Sequence, residues 1–373
     1  MIEVDKKIKV LIVDDSAFMR RVITAMLESD NQVKVVAFAR NGKDAITKIK
    51  LYKPDVVTMD IEMPELDGLE ALKKIMDECP TPVVMLSSLT TSGTRHTIEA
   101  LELGAIDFVA KPTNKNEFGQ LAKKLVRKVK EAAEISPMKI SSVIQSKSFA
   151  TTIRSSLKQK AISKIEHIKT ATIQPIAPVE VVVIGISTGG PSALQILLKG
   201  FDFDFPCGIV IVQHMPKGFT GPLAKRLDEM TCIEVKEGRQ GDIVKPGRAI
   251  LAPAGYHTVF KQSSEGLQIN LIEYSNIKTA FKPSVDVMMF SAIEHLESKV
   301  LGVIMTGMGK DGLSALKCLK AKRGIILAQN EESSVVFGMP RVAIDAGIVD
   351  KVLHLEELSE EITSIVLNSR RLT

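Results

Sequence analysis

Residues 181–198 read VVVIGISTGGPSALQILL, an apolar run that passes through a glycine-rich turn into a second apolar stretch. The first run is typical of a strand buried on both faces of a sheet, and Pro191 suits the first position of a helix. Strands that alternate with helices form parallel sheets, because a parallel neighbour is reached only through a long crossover. The stretch therefore predicts an α/β domain in which Ser187 follows the carboxyl end of a buried strand.

The same alternation extends through the second half of the chain, where strand-like runs are mostly separated by helical patterns. It predicts a large doubly wound parallel-sheet α/β domain over residues 179–373. The strand-like runs are Val179–Ile186, Gly208–Val212, Arg248–Leu251, Gly266–Leu271, Val300–Met305 and Gly324–Leu327.

The first 131 residues show a shorter version of this pattern, with five strand-like runs alternating with five amphipathic stretches. They predict a compact, flavodoxin-like α/β domain built on a second doubly wound parallel sheet. The strand-like runs are Ile8–Val13, Val33–Phe38, Val56–Met59, Val83–Leu86 and Phe108–Ala110.

Residues 132–178 lose this periodicity and are punctuated by Pro137, Pro175 and Pro178, which predicts a flexible linker between the two domains. Between Glu131 and Pro178, seven Lys and Arg stand against three Glu, a net charge of +4 out of the chain's +5. Basic charge gathered in a linker indicates solubility rather than a surface for nucleic acid. We therefore expect no nucleic-acid partner.

The four cysteines are scattered, with no C-x-x-C pair and no histidine at zinc-ligand spacing, which is typical of reduced thiols. No apolar run is long enough to span a bilayer, and no apolar signal core precedes the first strand. These features predict a cytoplasmic protein that is not inserted in a membrane.

Charged residues stand at the predicted strand ends of the first domain. Asp14 and Asp15 follow the first strand, Asp60 ends the third, and Lys111 follows the fifth. We expect the three carboxylates to converge at one sheet edge, where they would repel one another without a cation. Mg²⁺ accepts a few carboxylate oxygens and leaves room for a phosphoryl group. One carboxylate could then attack phosphorus, with Lys111 offsetting charge and Ser87 offering its hydroxyl.

Four segments of this domain closely resemble the two-component receiver family. They are VDDSAFMRR, MDIEMPELDGLEAL, the Ser-Ser pair after the fourth strand, and GAIDFVAKP. The resemblance implies a phosphoacceptor, a magnesium site and residues that read the phosphoryl group. By position these are Asp60 as phosphoacceptor, Asp14, Asp15 and Asp60 as metal ligands, and Ser87, Phe108 and Lys111 as the phosphoryl switch.

The glycine-rich turn that contains Ser187 allows two interpretations. A dinucleotide fingerprint needs G-x-G-x-x-G, but Ser187 takes the second glycine position and would block close approach to a pyrophosphate. The pattern G-x-S-x-G of a nucleophile elbow is met by Gly185, Ser187 and Gly189. An elbow exposes the serine hydroxyl at the sheet edge, where N–H groups of the helix start can stabilise an oxyanion.

A nucleophilic serine needs a base and a carboxylate that orients the base. His214 follows the buried run GIVIV after one residue, Gln213, and is expected at the same sheet edge as Ser187. The pattern alone does not exclude His257 as the base. Asp311 stands in TGMGKDG after the strand VLGVIM. Asp286, in KPSVDVMM, falls in a predicted helix and is the poorer candidate.

Six segments of the second half resemble, in order, the catalytic domain of the CheB-type chemotaxis methylesterase family. They are GISTGGP, QHMPKGFT, the GD…PG…LAP…H run, KPSVDVMM, TGMGKDG and AQNEESSVVFGMP. The resemblance implies Ser187 as nucleophile, His214 as general base and Asp311 as the orienting acid. It also implies Thr188 and the backbone of Met308 as oxyanion donors.

The chain departs from the family pattern at three positions. Ile186 stands where Ala is usual, Lys217 where Pro is common, and Asn330 where Asp is common. None of these three residues belongs to the implied triad. Because Lys217 differs from the family pattern, the resemblance does not fix the fine specificity for substrate. The order Ser…His…Asp also differs from the Ser…Asp…His order of α/β-hydrolases, which argues against an ordinary lipase.

The resemblance implies an enzyme that hydrolyses glutamate γ-methyl esters on chemoreceptors, releases methanol and also deamidates receptor glutamines, with no cofactor for the esterase reaction. It implies the histidine kinase CheA as phosphodonor and a receiver that covers the catalytic face until Asp60 is phosphorylated. Two alternatives come from other classes: an output domain that binds DNA, which would need a basic recognition helix, and a non-catalytic interaction module.

Overall fold

The computed structural model describes residues 7–88, 90–111, 118–135 and 175–372, which belong to two compact units that divide near residue 170. Most of the predicted linker at 132–178 lies outside the described residues, so the domain boundaries stay predictions. Within those ranges, no helix combines the length and the apolar character that a bilayer crossing requires.

The described part of the first unit contains five strands and five helices in strict alternation. They are β1 (Ile8–Val13), α1 (Ala17–Leu27), β2 (Val33–Ala39), α2 (Gly42–Tyr52), β3 (Val56–Asp60), α3 (Gly68–Glu78), β4 (Val83–Ser87), α4 (Thr91–Glu102), β5 (Asp107–Ala110) and α5 (Phe118–Ala133). The strands form one parallel sheet in the order β2-β1-β3-β4-β5. This confirms the flavodoxin-like fold, and its winding reverses between β1 and β3, where such sheets bind ligands.

Helix α5 extends two residues into the segment predicted as linker. The linker is predicted to begin at residue 132, whereas the helix continues to Ala133. Val129 and Ala132 are fully buried, so the last turn still packs apolar surface and is stabilised by it.

The described part of the second unit, residues 175–372, contains a seven-stranded sheet and a separate hairpin. Its elements are β6 (Val181–Ile186), α6 (Gly190–Lys199), β7 (Gly208–Gln213), α7 (Thr220–Asp228), β8 (Glu234–Glu237), β9 (Arg248–Leu251), β10 (His257–Ser263), β11 (Gly266–Ile272), α8 (Val285–Leu296), β12 (Val300–Ile304), α9 (Leu313–Ala321), β13 (Ile325–Gln329), α10 (Met339–Asp345), β14 (Lys351–Leu353) and α11 (Leu358–Ser369), with 3₁₀ turns at Glu297–Lys299, Leu355–Glu357 and Arg370–Leu372. The large sheet is parallel throughout, in the order β14-β13-β12-β6-β7-β9-β8. This confirms the doubly wound α/β fold.

The strand predicted at Gly266–Leu271 does not join the large sheet. It corresponds to β11, which pairs antiparallel with β10 in a two-stranded sheet. Polar residues recur along both strands, and a strand of this kind does not need burial on two faces as a central parallel strand does. Because the hairpin is separate, the seven-stranded sheet is all-parallel.

The register of the central strand β6 explains which residues meet at the sheet edge. Ile186 pairs with Gln213 on β7, and Gly185 pairs with Ile304 on β12. A Cβ on Gly185 would lie 2.5 Å from the Val285 Cγ1, so the glycine lets the start of α8 approach the end of β6. The carboxyl ends of β6, β7 and β12 therefore border one site.

Candidate active site and receiver site

Ser187 is the first residue after β6. Its N–H donates to the Thr306 carbonyl oxygen (2.9 Å), and its own carbonyl accepts from the Gln213 side-chain amide (3.0 Å). Gly189 has a φ of 79°, a left-handed conformation that lets the chain turn at once into α6. The turn leaves Ser187 partly exposed at the sheet edge, as a nucleophile elbow requires.

The loop after β12 packs directly against Ser187. A Cβ on Gly307 would lie 2.6 Å from the Ser187 Cβ, so a side chain at position 307 would collide with the serine. The Thr306 hydroxyl donates to the Thr188 carbonyl oxygen (2.9 Å) and ties this loop to the elbow. These contacts bring the backbone of the next residue, Met308, close to the serine, and its N–H donates to none of the described residues.

A hydrogen bond of 2.8 Å joins His214 Nε2 to Asp311 Oδ2. The two side chains are 7% and 4% exposed, so water competes little for this bond. The Phe281 ring stacks on the imidazole, with centroids 4.0 Å apart and an angle of 5° between the planes. The stacking and the hydrogen bond together hold the imidazole in one orientation.

Asp311 accepts three further hydrogen bonds at the start of α8. The Ser284 hydroxyl donates to Oδ1 (2.8 Å), and the N–H groups of Val285 and Asp286 donate to Oδ2 (2.7 Å) and Oδ1 (3.1 Å). Burial alone would raise the pKa of Asp311, but the hydrogen bond and charge of His214, together with the two N–H groups, lower this pKa below its ordinary value. The positive end of the helix dipole acts in the same direction.

The orientation of His214 decides which nitrogen is left for the serine. Because Nε2 faces Asp311, the remaining nitrogen is Nδ1, which is buried and has no hydrogen-bond partner among the described residues. Ser187 and His214 follow paired strands, yet no hydrogen bond joins their side chains in the part of the chain that the structure describes. Of the two hydrogen bonds in the implied triad, the structure therefore contains the one between His214 and Asp311 but not the one between Ser187 and His214.

The acidic residues of the first unit also converge. Carboxylate oxygens of Asp14, Asp15 and Asp60 lie within 4.8 Å of one another at the ends of β1 and β3. The Lys111 ammonium lies 2.6 Å from Asp60 Oδ2 and 3.2 Å from Asp14 Oδ2. Carboxylate oxygens at this spacing are ligands that Mg²⁺ accepts, so the cluster is compatible with magnesium binding.

Electrostatics at this cluster favour a cation. Burial, with a smaller effect of the Asp14 charge, raises the pKa of Asp60 above its ordinary value, although Lys111 opposes the shift. Burial disfavours the charged form of Lys111, but its contacts with Asp60 and Asp14 outweigh this effect and raise the Lys111 pKa. Three carboxylates therefore lie at this sheet edge, and the Lys111 ammonium compensates their negative charge only in part.

Two predicted switch residues lie inside the first unit, without hydrogen bonds to this cluster. The Ser87 hydroxyl is buried, accepts a hydrogen bond of 2.5 Å from the Thr97 hydroxyl, and lies 3.1 Å from the Gly93 carbonyl oxygen. None of its hydrogen bonds reaches Asp60. The Phe108 side chain is buried as well, so the roles of both residues stay predictions.

Two family models match the chain: one described as response regulator receiver domain over residues 10–123, and one described as CheB methylesterase over residues 182–362. A protein-glutamate methylesterase/protein-glutamine glutaminase of Moorella thermoacetica is 39% identical over 96% of this chain and 98% of its own. Relatives with this activity in their names, from Oleidesulfovibrio alaskensis and Halalkalibacterium halodurans, are each 42% identical over 96% of this chain, and over 99% and 98% of their own. The chain belongs to the CheB methylesterase family.

As a CheB methylesterase, the chain is a hydrolase that carries a response regulator receiver domain, a combination that belongs to chemotaxis. The match of the second domain to an enzyme family leaves the two alternatives, an output domain that binds DNA and a non-catalytic module, without support.

The geometry also bears on the alternative triad candidates in this CheB domain. His257 is 4% exposed at the start of β10, and burial together with the Lys282 charge lowers its pKa. Among the described residues, no hydrogen bond links His257 to Asp311. Asp286 caps α9 by accepting from an N–H of its first turn (2.9 Å), and burial raises the Asp286 pKa. His214 and Asp311 are therefore the favoured pair.

Two contacts of the CheB site go beyond the sequence-based prediction, namely the stacking of Phe281 and the hydroxyl of Ser284. Ser284 stands in the quoted KPSVDVMM segment, yet no spacing rule connects it to Asp311, 27 residues later. The sequence does contain the pattern of a helix N-cap at this position, a serine directly before an apolar run. Such a signal locates a helix start but does not say which carboxylate lies there.

Proposed function

We propose that this CheB methylesterase hydrolyses glutamate γ-methyl esters on methyl-accepting chemoreceptors in the cytoplasm, and that phosphorylation of its receiver raises the rate. The observation that carries the proposal is the 2.8 Å hydrogen bond between His214 and Asp311 beside the elbow serine Ser187. The names of the relatives support the substrate. The same acyl chemistry extends to receptor glutamines, which would release ammonia instead of methanol.

In the first half of the proposed reaction, Ser187 Oγ attacks the ester carbonyl carbon while its proton passes to Nδ1 of His214. Nε2–H stays bonded to Asp311, whose carboxylate stabilises the imidazolium. The N–H groups of Thr188 and Met308 stabilise the negative charge on the carbonyl oxygen. The bond to the methoxy group breaks as Nδ1 returns the proton, so methanol leaves and the serine stays acylated.

In the second half, water hydrolyses the acyl-enzyme. His214 takes a proton from the attacking water, and the second tetrahedral intermediate is stabilised by the same N–H groups. Its collapse breaks the bond to Ser187 Oγ, which takes the proton back from His214, and releases the glutamate side chain as a carboxylic acid that loses its proton to water. The protein's own side chains supply the nucleophile, the base and the acid, so the proposed esterase reaction needs no cofactor.

For the receiver, we propose that an Asp60 oxygen attacks the phosphorus of a phosphohistidine on the histidine kinase CheA, which forms an acyl phosphate and breaks the P–N bond to the kinase histidine. Asp14, Asp15 and Asp60 would hold Mg²⁺, which supplies positive charge to the transferring phosphoryl group. Lys111 offsets charge on the same group, as its contacts with Asp60 and Asp14 suggest. The residues proposed to read the phosphorylated state are Ser87, Phe108 and Lys111.

Control of the esterase is proposed to follow from a population shift. The unphosphorylated receiver, residues 1–131, would limit access to the catalytic domain at 179–373, with the linker at 132–178 permitting release. Phosphorylation raises the rate only if the phosphoryl group stabilises the released state more than the occluded one.

Replacing Asp60 by alanine removes the proposed phosphoacceptor. We expect methanol release from methylated receptor membranes to lose the whole of its stimulation by a phosphodonor. The measurement is methanol release with and without the kinase and ATP. The matched control is Asp77→Asn, an exposed aspartate of α3, which should keep the stimulation. Full stimulation of Asp60→Ala would show that another residue accepts the phosphoryl group.

A further inference from the structure

Two lysines beside the catalytic centre have no acidic partner. Lys217 lies three residues after His214, and Lys282 directly follows the stacked Phe281; both are exposed. Neither forms an ion pair with any residue that the structure describes. Lys236 of the same domain, in contrast, forms an ion pair with Asp242. Unpaired ammonium groups at the mouth of a site attract anions.

Contacts through one glycine bring these two lysines together. A Cβ on Gly255 would lie 3.4 Å from the Lys217 Cδ, and the Gly255 N–H donates to the Lys282 carbonyl oxygen at 3.3 Å. The Lys282 ammonium lies 5.2 Å from the centroid of the exposed Tyr274 ring, a cation–π contact that helps to hold it in place. The two lysines thus flank one position of the loop after β9.

A buried histidine stands next to them. His257 lies two residues after Gly255, and its Nδ1 is buried without a hydrogen-bond partner in the described ranges. Its pKa responds to the charges of both Lys282 and Asp311, so it lies within electrostatic reach of the lysine side and of the triad. A bound carboxylate would compensate the positive charge on this side of the site.

Acidic residues follow a strand on the other side of the elbow from Lys217. Val335, in the loop after β13, approaches the elbow so closely that a Cβ on Gly189 would lie 2.5 Å from the Val335 Cβ. The same loop begins with the exposed Glu331 and Glu332. Since β13 and β7 lie on opposite sides of β6, these glutamates and Lys217 follow strands on opposite sides of Ser187.

We propose that Lys217 and Lys282 form a carboxylate subsite that holds acidic side chains flanking the ester to be cleaved. The inference rests on the proposed esterase function and names its substrate class as an acidic peptide segment. Each hydrolysed ester leaves a new carboxylate, so a partly hydrolysed segment should bind better than a fully esterified one.

The test uses two synthetic peptides, each with one glutamate γ-methyl ester, flanked by glutamates in one peptide and by glutamines in the other. The full-length protein with a phosphodonor is compared with the double variant Lys217→Gln/Lys282→Gln. Loss of one exposed ion pair should raise KM about twofold to fivefold. For the acidic peptide, the loss of two independent pairs in the double variant should therefore raise KM roughly fourfold to twenty-five-fold. The value of kcat should stay unchanged. For the glutamine peptide, both constants should stay the same.

Two further variants sharpen the result. Lys217→Arg/Lys282→Arg keeps the charges and should restore the low KM, and Lys261→Gln removes an exposed lysine of the hairpin and should change nothing. Raising the salt concentration should weaken the preference for the acidic peptide, because exposed charges are screened over about 10 Å at 0.1 M. Affinity for both peptides, measured on Ser187→Ala full-length protein, gives the same comparison without turnover.

The outcomes separate the two proposals. Hydrolysis of both peptides with equal KM, unchanged in the double variant, would overturn the subsite and leave the esterase function standing. Hydrolysis of neither peptide, and of no methylated receptor, would overturn the esterase function and the subsite with it. A lower KM for the acidic peptide that persists in the double variant would also overturn the assignment to these lysines.

Discussion

Replacing Ser187 by alanine should lower kcat for methanol release from methylated receptors by about 10⁴-fold to 10⁶-fold, the range seen when a serine hydrolase loses its nucleophile. The change removes one oxygen from a partly exposed side chain and leaves the elbow backbone intact, so the fold should be unaffected. The measurement is methanol released per minute by the phosphorylated full-length enzyme.

The control for this change is Ser192→Ala, five residues further on in α6, which should keep kcat within about twofold because it removes no proposed catalytic group. A Ser187→Ala enzyme that keeps more than a few per cent of the wild-type rate contradicts the nucleophile assignment. Thermal unfolding of both variants checks that a loss of rate does not come from a loss of structure.

Replacing Asp311 by asparagine should lower kcat by about 10⁴-fold. Each carboxylate oxygen accepts two hydrogen bonds, from His214 and Val285 at Oδ2 and from Ser284 and Asp286 at Oδ1. An amide has one oxygen, so its NH₂ group must face donors in either orientation. The substitution therefore removes the charge that stabilises the imidazolium and also disrupts the tautomer that leaves Nδ1 free to accept a proton.

Ser284→Ala provides a graded comparison, since it removes one of these four donors and keeps the carboxylate. We expect about a tenfold loss of kcat, in line with one hydrogen bond to a charged group. Ser284→Thr keeps the hydroxyl and should restore most of the rate. Asp311→Asn with a rate near that of Ser284→Ala would contradict a catalytic role for the carboxylate.

The positions of the proposed functional residues at strand ends were predictable, because residues that follow parallel strands lie at the same edge of the sheet. Ser187 and His214 each follow a buried apolar run, and their strands pair in register at Ile186 and Gln213. The same reasoning applies to Asp60, which ends β3, and to Lys111, which follows β5; their side chains form an ion pair of 2.6 Å.

Contacts made through loops and helices were not predictable in this way. Phe281 stacks on His214 from a segment 67 positions later in the chain, and no period relates the two. The hydrogen bond between Thr97 and Ser87 depends on how α4 packs on β4. Which imidazole nitrogen faces Asp311 is likewise a result of packing, since a pattern of residue types carries no information about ring orientation.

The most direct measurement is the identification of the residue that a fluorophosphonate, a reagent for activated serines, modifies covalently. Trypsin should release residues 170–199 as one peptide, which contains both Ser187 and Ser192, and fragmentation distinguishes the two. We expect stoichiometric modification of Ser187 that parallels loss of methanol release and is abolished in the His214→Gln variant. Full esterase activity with an unmodified Ser187, or an adduct confined to another residue, would contradict the proposed catalytic triad.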